Sequence, residues 1–261
     1  MFTNAIVRVP GSNFADGLTS VELGVPDFDL VLRQWEDYCG ALLLCGLSIT
    51  RLEADLAHPD STFVEDTAVI TPHGAMLTRP GAASRLGEIA AIAGAVRGFY
   101  PQVAKIATPG TLDGGDICEA GRHFYLGISQ RTNEDGARQL ADHLAKEGYT
   151  SSCVGVRGMT SILHLKSGIS YVGPGPAGEP TLVVMEEMAD WPEFAGYDLL
   201  RVSAEESYAA NCVRVNDRVL VAAGYPQMTE ELVRRGFDPL VLDMSEFRKM
   251  DGGLSCLSLR F

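Results

Sequence analysis

The sequence predicts an α/β protein in which a unit of two strands and a helix repeats around a closed ring. An apolar strand, a tight turn, a second apolar strand and usually a helix follow one another several times along the 261 residues. The first strands of these units begin at separations of 50, 50, 46 and 44 residues, near Asp66, Asp116, Lys166, Cys212 and Cys256. A repeat of this length is typical of a propeller or a solenoid, and five related units would form a closed ring. The alternative is an ordinary α+β sandwich whose hairpins merely look alike.

The first unit is predicted to join the two ends of the chain. The segment LSCLSLRF at 254–261 would pair as a strand with NAIVRVP at 4–10, and the helix LVLRQWEDYCGALL would follow. Apolar residues alternate over 254–259, which predicts a strand that holds Cys256 on one definite face. Gly252 and Gly253 directly precede this strand.

The second and third units, at 65–96 and 115–148, have the clearest helices. Each helix carries one apolar stripe at helical spacing, and the third unit ends at Gly148, a residue typical of helix ends. The stripes consist of Ile89, Ile92, Ala93 and Val96 in the second unit and Ala137, Leu140, Ala141 and Leu144 in the third.

The fourth and fifth units are indicated by their hairpins. In the fourth, GPGPAG at 173–178 predicts the loop between a strand after His164 and the strand TLVVM at 181–185, and the helix that should follow is poorly marked. In the fifth, at 211–236, the pair Asn216-Asp217 predicts the hairpin turn. Thr229 is predicted to cap a short helix that ends at Gly236.

Composition indicates a folded globular protein, for which we predict a single domain over 1–261. Hydrophobic residues make up 46% of the chain and charged residues 21%, which excludes wholesale disorder. The net charge of −13 disfavours nucleic acid and anionic membranes as partners. The N-terminus lacks the pattern of a secretory signal, and the apolar stretch at 41–49 is too short to span a membrane. Six cysteines without a CxxC pair favour reduced thiols, so we expect a cytoplasmic protein.

The predicted ring brings polar residues together from distant parts of the chain. If each unit presents the start of its first strand toward the axis, a thiol, an imidazole, an amide and several carboxylates meet there. These residues are Glu65, Asp66, Asp113, Asp116, His164, Asn211 and Cys256. A cysteine, a histidine and a carboxylate can form a nucleophilic site. Taken singly, each has a plainer explanation: a packed thiol, a core histidine, or acids in a solvated turn.

The roles of the three catalytic candidates follow from their chemistry. Cys256 needs a nearby base or positive charge because a free thiol is mostly protonated at neutral pH. His164, flanked by apolar residues in SILHLKSG, is the histidine best placed for acid and base work. Asp113 or Asp116, in TLDGGDI, would orient the imidazole and stabilise its charged form.

Further charged residues predict how a substrate would be held. Asp60, Glu65 and Asp66, in HPDSTFVEDTAV, could accept the donors of a planar cation such as a guanidinium. Arg85 and Arg131 both follow the second strand of a unit, so they could lie on one rim and bind a carboxylate. The alternative for all five is a solvated surface position.

At these residues the sequence closely resembles the dimethylarginine dimethylaminohydrolases, particularly the bacterial members. The likeness covers nearly the whole chain through DGLTS at 16–20, FVEDTAV, LTRPGAASR, GTLDGGD, RTNEDGARQ, LHLKSG, SYAANCVRVN and DGGLSCLSLRF. The resemblance implies the five-bladed pentein propeller of ββαβ units that arginine deiminases and amidinotransferases share. It also implies hydrolysis of Nω-methylated arginine to citrulline and methylamine or dimethylamine.

The resemblance also implies a role for each matched residue. Cys256 would attack the guanidinium carbon to form a covalent thiouronium, His164 would protonate the departing amine and then activate water, and Asp113 would orient His164, leaving Asp116 structural. The matched substrate contacts are Asp60, Glu65 and Asp66, with Asp66 on the guanidinium, Arg85 and Arg131 on the α-carboxylate, and the backbone carbonyls of Leu18 and Met250. Met250 departs from the branched aliphatic residue expected there, and the segment around Leu18 would be a mobile cover.

Other functions are weighed against this one. An arginine deiminase or an amidinotransferase would share the nucleophile and the fold but differ in substrate. A guanidino-binding protein without turnover would lack the cysteine, the histidine or the acid, and a ring protein without a site would leave Cys256 and the clustered acids unexplained. We expect a small methylated arginine as the ligand and no metal or organic cofactor, although a thiolate and imidazole could bind adventitious zinc. Whether the chain forms a homodimer is left open.

Overall fold

Fifteen strands form five sheets in the part of the chain that the computed structural model describes, residues 1–175 and 178–261. Each sheet has three strands, and its central strand is antiparallel to one neighbour and parallel to the other. An antiparallel pair needs only a tight turn, whereas a parallel pair needs a crossover connection. The predicted unit of two hairpin strands and a helix therefore gains a third strand after its helix.

The helices and strands follow one another along the chain in a regular order. They are β1 (Asn4–Arg8), α1 (Phe28–Leu44), β2 (Ser48–Leu52), β3 (Ala68–Thr71), β4 (Gly74–Leu77), α2 (Ile89–Arg97), β5 (Val103–Lys105), β6 (Ile117–Ala120), β7 (His123–Ile128), α3 (Glu134–Lys146), β8 (Thr150–Gly155), α4 (Leu165–Gly168), β9 (Ile169–Pro174), β10 (Pro180–Met185), β11 (Asp198–Val202), β12 (Val213–Val215), β13 (Arg218–Ala222), α5 (Pro226–Arg234), β14 (Asp238–Leu242), α6 (Ser245–Arg248) and β15 (Leu259–Arg260).

The sheet that contains both chain ends confirms the predicted first unit. Its strand order is β15-β1-β2, with Ala5 opposite Arg260 and Ile6 opposite Leu259 in antiparallel register. The other sheets have the orders β3-β4-β5, β6-β7-β8, β11-β10-β9 and β12-β13-β14. In all five, one strand of the antiparallel pair is the strand that follows a predicted site residue.

The helices lie where the apolar stripes predict them. Helix α3 begins after Asn133, whose side chain accepts a hydrogen bond from the Gly136 amide, and the chain leaves it at Gly148 with φ of 82°. Helix α1 begins after Asp27, which caps it in the same way through the Leu30 amide. The predicted turn at 216–217 is confirmed, because Val215 pairs with Arg218 and Asn216 has φ of 56°.

Two local predictions are wrong. Cys256 is not on a strand: Ser255–Leu257 form a 3-10 turn in which the Cys256 amide donates to the Gly253 carbonyl, and the strand begins only at Leu259. Thr229 is not a helix cap, because α5 begins earlier, at Pro226, and the Thr229 hydroxyl bonds back to the Tyr225 carbonyl from inside the helix. A proline is well suited to the first helical position, since it lacks the N–H that would be unpaired there.

The fourth unit has no long helix in its described part. Two 3-10 turns, Glu186–Met188 and Pro192–Phe194, lie between β10 and β11 instead. Of the loop predicted at 173–178, residues 176 and 177 lie outside the described residues. No helix within the described ranges is both long and apolar enough to cross a lipid bilayer.

Candidate active site

The site residues lie on short turns that directly precede the first strands of the sheets. Asp66 lies in the 3-10 turn Val64–Thr67 before β3, and Cys256 in the turn before β15. Asp113 precedes the turn Gly114–Asp116 before β6, and His164 precedes α4 and β9. The turn of Asp66 packs against the turns of Cys256 and Asp113, and the latter packs against α4. Residues distant in sequence are thus brought together by their equivalent places in the repeat.

His164 and Asp113 form the central ion pair of this cluster. The Nε2–H of His164 donates to Oδ2 of Asp113 at 3.0 Å, and both side chains are buried. The other oxygen, Oδ1, accepts the Gly81 amide at 2.8 Å, which holds the carboxylate in place. Nη1 of Arg131 lies 3.8 Å from Oδ2 of Asp113. The predicted pairing of Asp113 with His164 is therefore present in the fold.

The imidazole of His164 is held in its charged form. Burial alone would lower its pKa, but the charge of Asp66, the hydrogen bond that His164 donates to Asp113 and the charge of Asp116 outweigh burial and raise the pKa to about 9. Burial also opposes the charge on Asp66, yet His164 and Arg85 lower the pKa of this carboxyl to about 2. An imidazolium beside the ionised carboxylate of Asp66 is therefore the resting arrangement at neutral pH.

Gly115 and Asp116 help to position His164. A Cβ on Gly115 would lie 2.9 Å from both Nδ1 of His164 and Oδ1 of Asp66, so only glycine fits between them. Asp116 accepts the Ser129 hydroxyl at 2.6 Å and the Leu165 amide at 3.0 Å, one residue after His164. Asp116 thus fixes the backbone beside the imidazole, as its predicted structural role requires.

Cys256 is a partly exposed thiol in an acidic setting. Burial, followed by the carboxylates of Glu65 and Asp66, raises its pKa to about 12, although the Gly253 amide and Lys166 act in the opposite sense. The Gly253 N–H donates to Sγ at 3.4 Å. Without a ligand the thiol is therefore protonated, and a cation bound at the carboxylates would favour its ionisation.

Glu65 is surrounded by donors from this chain. It accepts the Ser255 hydroxyl at 2.8 Å and Nζ of Lys166 at 2.5 Å, and Nη2 of Arg260 lies 3.4 Å away. Its predicted contact with substrate stays a prediction. The structure places Glu65 beside the nucleophile as a buried carboxylate that Lys166 and Arg260 share.

Arg85 is buried beside Asp66 rather than exposed on a rim. Nη1 donates to Asp66 at 2.5 Å, Nε and Nη2 donate to Glu88 at 2.9 Å each, and Nη2 also reaches the carbonyls of Asp60 and Phe63. Of the five N–H donors of this guanidinium, one on Nη1 has no hydrogen-bond partner in the described ranges. The predicted contact with a substrate carboxylate could use that donor.

The segment around Leu18 is tied to the segment that contains Met250. The Leu18 amide donates to Asp60 at 2.9 Å, and the Ser20 amide and hydroxyl donate to Asp251 at 2.5 and 2.9 Å. Met250 is buried, whereas Leu18 is exposed. Leu18, Asp60 and Met250, predicted to contact one ligand, are thus linked through one loop.

Two curated relatives match this chain over its full length. The N(G),N(G)-dimethylarginine dimethylaminohydrolase of Pseudomonas aeruginosa is 45% identical over 262 residues, which is 100% of both chains. That of Streptomyces coelicolor is 35% identical over 257 residues, 98% of this chain and 96% of its own. The chain belongs to the dimethylarginine dimethylaminohydrolase family. No family model matches the chain.

Solved dimethylarginine dimethylaminohydrolases have the same fold. An adduct with S-methyl-L-thiocitrulline superposes with a TM-score of 0.95 at 44% identity over 100% of both chains, and so does a cysteine-to-serine mutant of the Pseudomonas aeruginosa enzyme complexed with citrulline. The N-terminal domain of ArgZ, a cyanobacterial arginine dihydrolase, has a TM-score of 0.85 at 17% identity, covering 98% and 96% of the two chains. This more distant likeness shows the fold alone.

The cluster also offers a set of potential metal ligands. One atom each of Asp66, Asp113 and His164 lies within 4.8 Å of the others. A metal would have to displace the proton that these carboxylates stabilise on His164, and it would compete with Arg85 for Asp66. The donor set is better matched to an imidazolium, in line with membership of the dimethylarginine dimethylaminohydrolase family.

Sequence reasoning missed several residues that build this family member's site. Glu88 pairs with Arg85 three positions before it, a spacing that signals neighbours on one helical turn. Lys166 and Ser255 were not predicted to belong to the site, although each is within two residues of His164 or Cys256. Their partner, Glu65, is distant in sequence, so only the fold reveals the contact.

Proposed function

We propose that this chain hydrolyses Nω-methylated arginines, namely asymmetric dimethylarginine and monomethylarginine, to L-citrulline and dimethylamine or methylamine. The observation that carries the proposal is the pair of the charged His164 imidazole with Asp113, which lies in a cluster with Asp66. The turn that contains Asp66 also packs against the turn that contains Cys256. Full-length identity of 45% to a relative of that name supports the same conclusion. One solved family member is complexed with citrulline, the product that we propose here.

The substrate's own charge begins the proposed mechanism. Asp66 binds the guanidinium, with Asp60 and Glu65 adding negative charge around it. The bound cation offsets the carboxylates that keep the Cys256 thiol protonated, so the thiol releases its proton to solvent water and the thiolate attacks the guanidinium carbon. Placing Asp66 beside both the thiol and the imidazole thus links binding to activation.

His164 then acts first as an acid and afterwards as a base. It donates its proton to the methylated nitrogen, the C–N bond breaks, and the amine leaves a thiouronium bound to Cys256. The neutral imidazole takes a proton from water as the hydroxyl adds to the same carbon. The C–S bond breaks as the hydroxyl passes its proton to the departing sulfur, which restores the Cys256 thiol and releases citrulline. Asp113 holds the ring in position throughout.

The amino-acid end of the substrate is assigned to the two arginines and the loop around Leu18. Arg131, and Arg85 through its remaining donor, bind the α-carboxylate. The backbone carbonyls of Leu18 and Met250 accept the α-ammonium, and the loop around Leu18 covers the bound substrate. The hydrogen bonds from this loop to Asp60 and Asp251 support such a cover.

The finer architecture is also a proposal. The five sheets would be the five blades of one pentein propeller, a single domain over 1–261, with the catalytic turns at one end of its axis. One cavity lined by first strands from all five sheets supports this closure. The free thiols at all six cysteines fit a reducing cytoplasm.

The deciding experiment measures citrulline and each amine from asymmetric dimethylarginine, monomethylarginine and arginine. We expect citrulline from both methylated substrates and none from Cys256→Ala. Ammonia released mainly from unmethylated arginine would instead identify a deiminase, and transfer to an added amine would identify an amidinotransferase. Undiminished turnover by Cys256→Ala would rule out the proposed mechanism.

A further inference from the structure

The cavity lined by the first strands of the five sheets has a volume of about 770 Å³ and lies beyond the catalytic turns. Residues of β3, β6, β9, β12 and β15 line it, whereas Asp66, Asp113, His164 and Cys256 do not. Its wall on the catalytic side is formed in part by Glu65 and Ser255, whose chain neighbours are Asp66 and Cys256. The cavity is therefore separate from the active site but shares a wall with it. Its volume is in the range of small-molecule sites.

The charge of this cavity is opposite to that of the protein. Three cationic side chains line it, Lys166, Arg214 and Arg260, against two carboxylates, Glu65 and Glu119. The chain as a whole carries 34 acidic and 21 basic residues. A concave wall with low-dielectric surroundings concentrates the field of its charges, so this cavity favours an anion where the outer surface repels one.

The cations are incompletely neutralised. Lys166 and Arg260 share a single carboxylate, Glu65. Arg214 donates to the carbonyls of Val172, Pro174 and Asn216, and in the described ranges it forms no ion pair. These positive charges are available to an incoming carboxylate.

An aromatic wall completes the cavity. Phe261 packs edge to face against Phe99 and Tyr100, with centroid distances of 4.8 and 5.6 Å, and all three line the cavity. Such a wall binds the apolar part of a ligand whose charged end meets the cations.

We propose that this cavity is a second ligand site, that it takes a small organic carboxylate with an aromatic body, and that a ligand bound there slows the reaction at Cys256 without entering the substrate site. The binding stands independently, whereas the effect on rate rests on the function proposed above.

The shared wall gives the route from the cavity to the nucleophile. A carboxylate bound by Lys166 and Arg260 competes with Glu65 for the same donors. Glu65 accepts the hydroxyl of Ser255, which directly precedes Cys256, and its charge raises the pKa of the thiol while Lys166 lowers it. Drawing Lys166 away and adding a negative charge both disfavour the thiolate.

The test uses 4-phenylbutyrate, with the neutral 4-phenylbutanamide as control, in the citrulline assay at constant ionic strength. We expect the carboxylate to lower kcat saturably and leave KM unchanged, and the amide to have little effect. An increase in KM alone would place the carboxylate in the substrate site and overturn the proposal. Equal inhibition by the amide, or none by either, would also overturn it.

Variants that change one charge test whether the ligand binds in this cavity. Glu119→Gln removes a repelling charge from a side chain that forms no hydrogen bond or ion pair in the described ranges, and should tighten binding about three- to tenfold. Glu230→Gln makes the same change on the exposed face of α5, outside the cavity lining, and should not alter the affinity. Arg214→Gln should weaken binding about as much as Glu119→Gln tightens it. Identical inhibition constants in all three variants would refute the assignment.

Binding is also measured by calorimetry, which needs no turnover. If the protein releases no citrulline from any substrate, the proposed function fails, yet heat of binding that depends on Glu119 would still support the cavity. If citrulline is released and calorimetry detects no binding, the cavity proposal fails alone.

Discussion

His164 shows how a few buried charges set the state of one side chain. Its ring is buried, which alone would leave it neutral at pH 7, but three carboxylates around it reverse this preference. Asp66 is one of these carboxylates, and together with burial and Glu65 it keeps the nearby thiol of Cys256 protonated. The imidazole and the thiol therefore both remain protonated until a cation binds.

Replacing Asp113 tests this balance directly. Asp113→Asn keeps the shape but removes the charge that accepts from His164, so the imidazolium becomes a stronger acid. We expect kcat to fall about 10²- to 10⁴-fold and the pH at which activity declines, near 9 in the parent, to move lower. The measurement is a pH profile of citrulline release, with Asp142→Asn on the exposed side of α3 as control. A reduced rate with an unchanged profile would contradict the role of Asp113.

The raised pKa of His164 also makes the free energy of unfolding depend on pH. The pKa of His164 is about 9 in the folded protein and 6.5 ordinarily, so folding favours the protonated form. This contribution is complete below about pH 6.5 and is lost as the pH rises toward 9, with a slope of at most about 1.4 kcal/mol per pH unit. Denaturant titrations over this range should show the decline, and His164→Gln should flatten it. An equally steep decline in that variant would assign the effect to other groups.

At the scale of elements, Asn211 connects the turns of the nucleophile and the histidine. Its Oδ1 accepts the Ser255 amide, and its Nδ2 donates to the Ser255 hydroxyl and the Lys166 carbonyl. It also occupies the space that a side chain on Gly253 would need, since a Cβ there would lie 2.6 Å from it. Asn211 therefore holds Cys256 in register with its neighbours.

Asn211→Ala should misplace the thiol as well as destabilise the fold. It leaves the Ser255 amide without its partner, which costs about 1–3 kcal/mol. We expect slower alkylation of Cys256 by iodoacetamide and a lower kcat. Asn211→Asp should give intermediate values of both, because it keeps a side-chain oxygen that can accept the Ser255 amide. Asn133→Ala, which removes the cap of α3, is the matched control for lost stability. If Asn133→Ala slows alkylation equally, Asn211 has no positioning role.

The loop around Leu18 depends on Asp251 for its place. Asp251 has φ of 57°, a conformation that asparagine also tolerates, so Asp251→Asn keeps the backbone while weakening the bonds to Ser20. We expect KM to rise about threefold to tenfold with a smaller change in kcat, since binding is lost equally in ground and transition states. Glu22→Gln, an exposed change in the same segment, is the control. An unchanged KM would mean that the loop does not cover the substrate.

Local patterns predicted the elements better than the turns between them. The stripes of α2 and α3, the hairpin at Asn216 and the pairing of the chain ends all follow from periodicity and turn chemistry. The predicted strand at Cys256 was wrong because the Asn211 side chain, a tertiary partner, and the local bond to the Gly253 carbonyl stabilise a turn instead. The repeat predicted that His164 would meet Asp113 or Asp116, and the family resemblance singled out Asp113. The partners of Arg85 and Glu65 could not, because they depend on which way each side chain turns.

At the scale of the whole molecule, the net charge of −13 should assist a cationic substrate. A negative field concentrates cations near the protein and raises their association rate, and salt screens this effect. We expect kcat/KM for monomethylarginine to fall as ionic strength rises, while alkylation of Cys256 by neutral iodoacetamide changes little. Constant kcat/KM at low and high salt would show that the charge serves only solubility.

The sheet β15-β1-β2 has a consequence for folding. Ile6 must meet Leu259 before the turn of Cys256 is held beside the carboxylates, so this contact spans almost the whole sequence. Contacts of such long range form slowly because a large loop must first close. During synthesis the other four sheets can assemble while the cysteine is still an ordinary thiol. Reactivity toward guanidines is thus acquired last, when the sheet β15-β1-β2 forms.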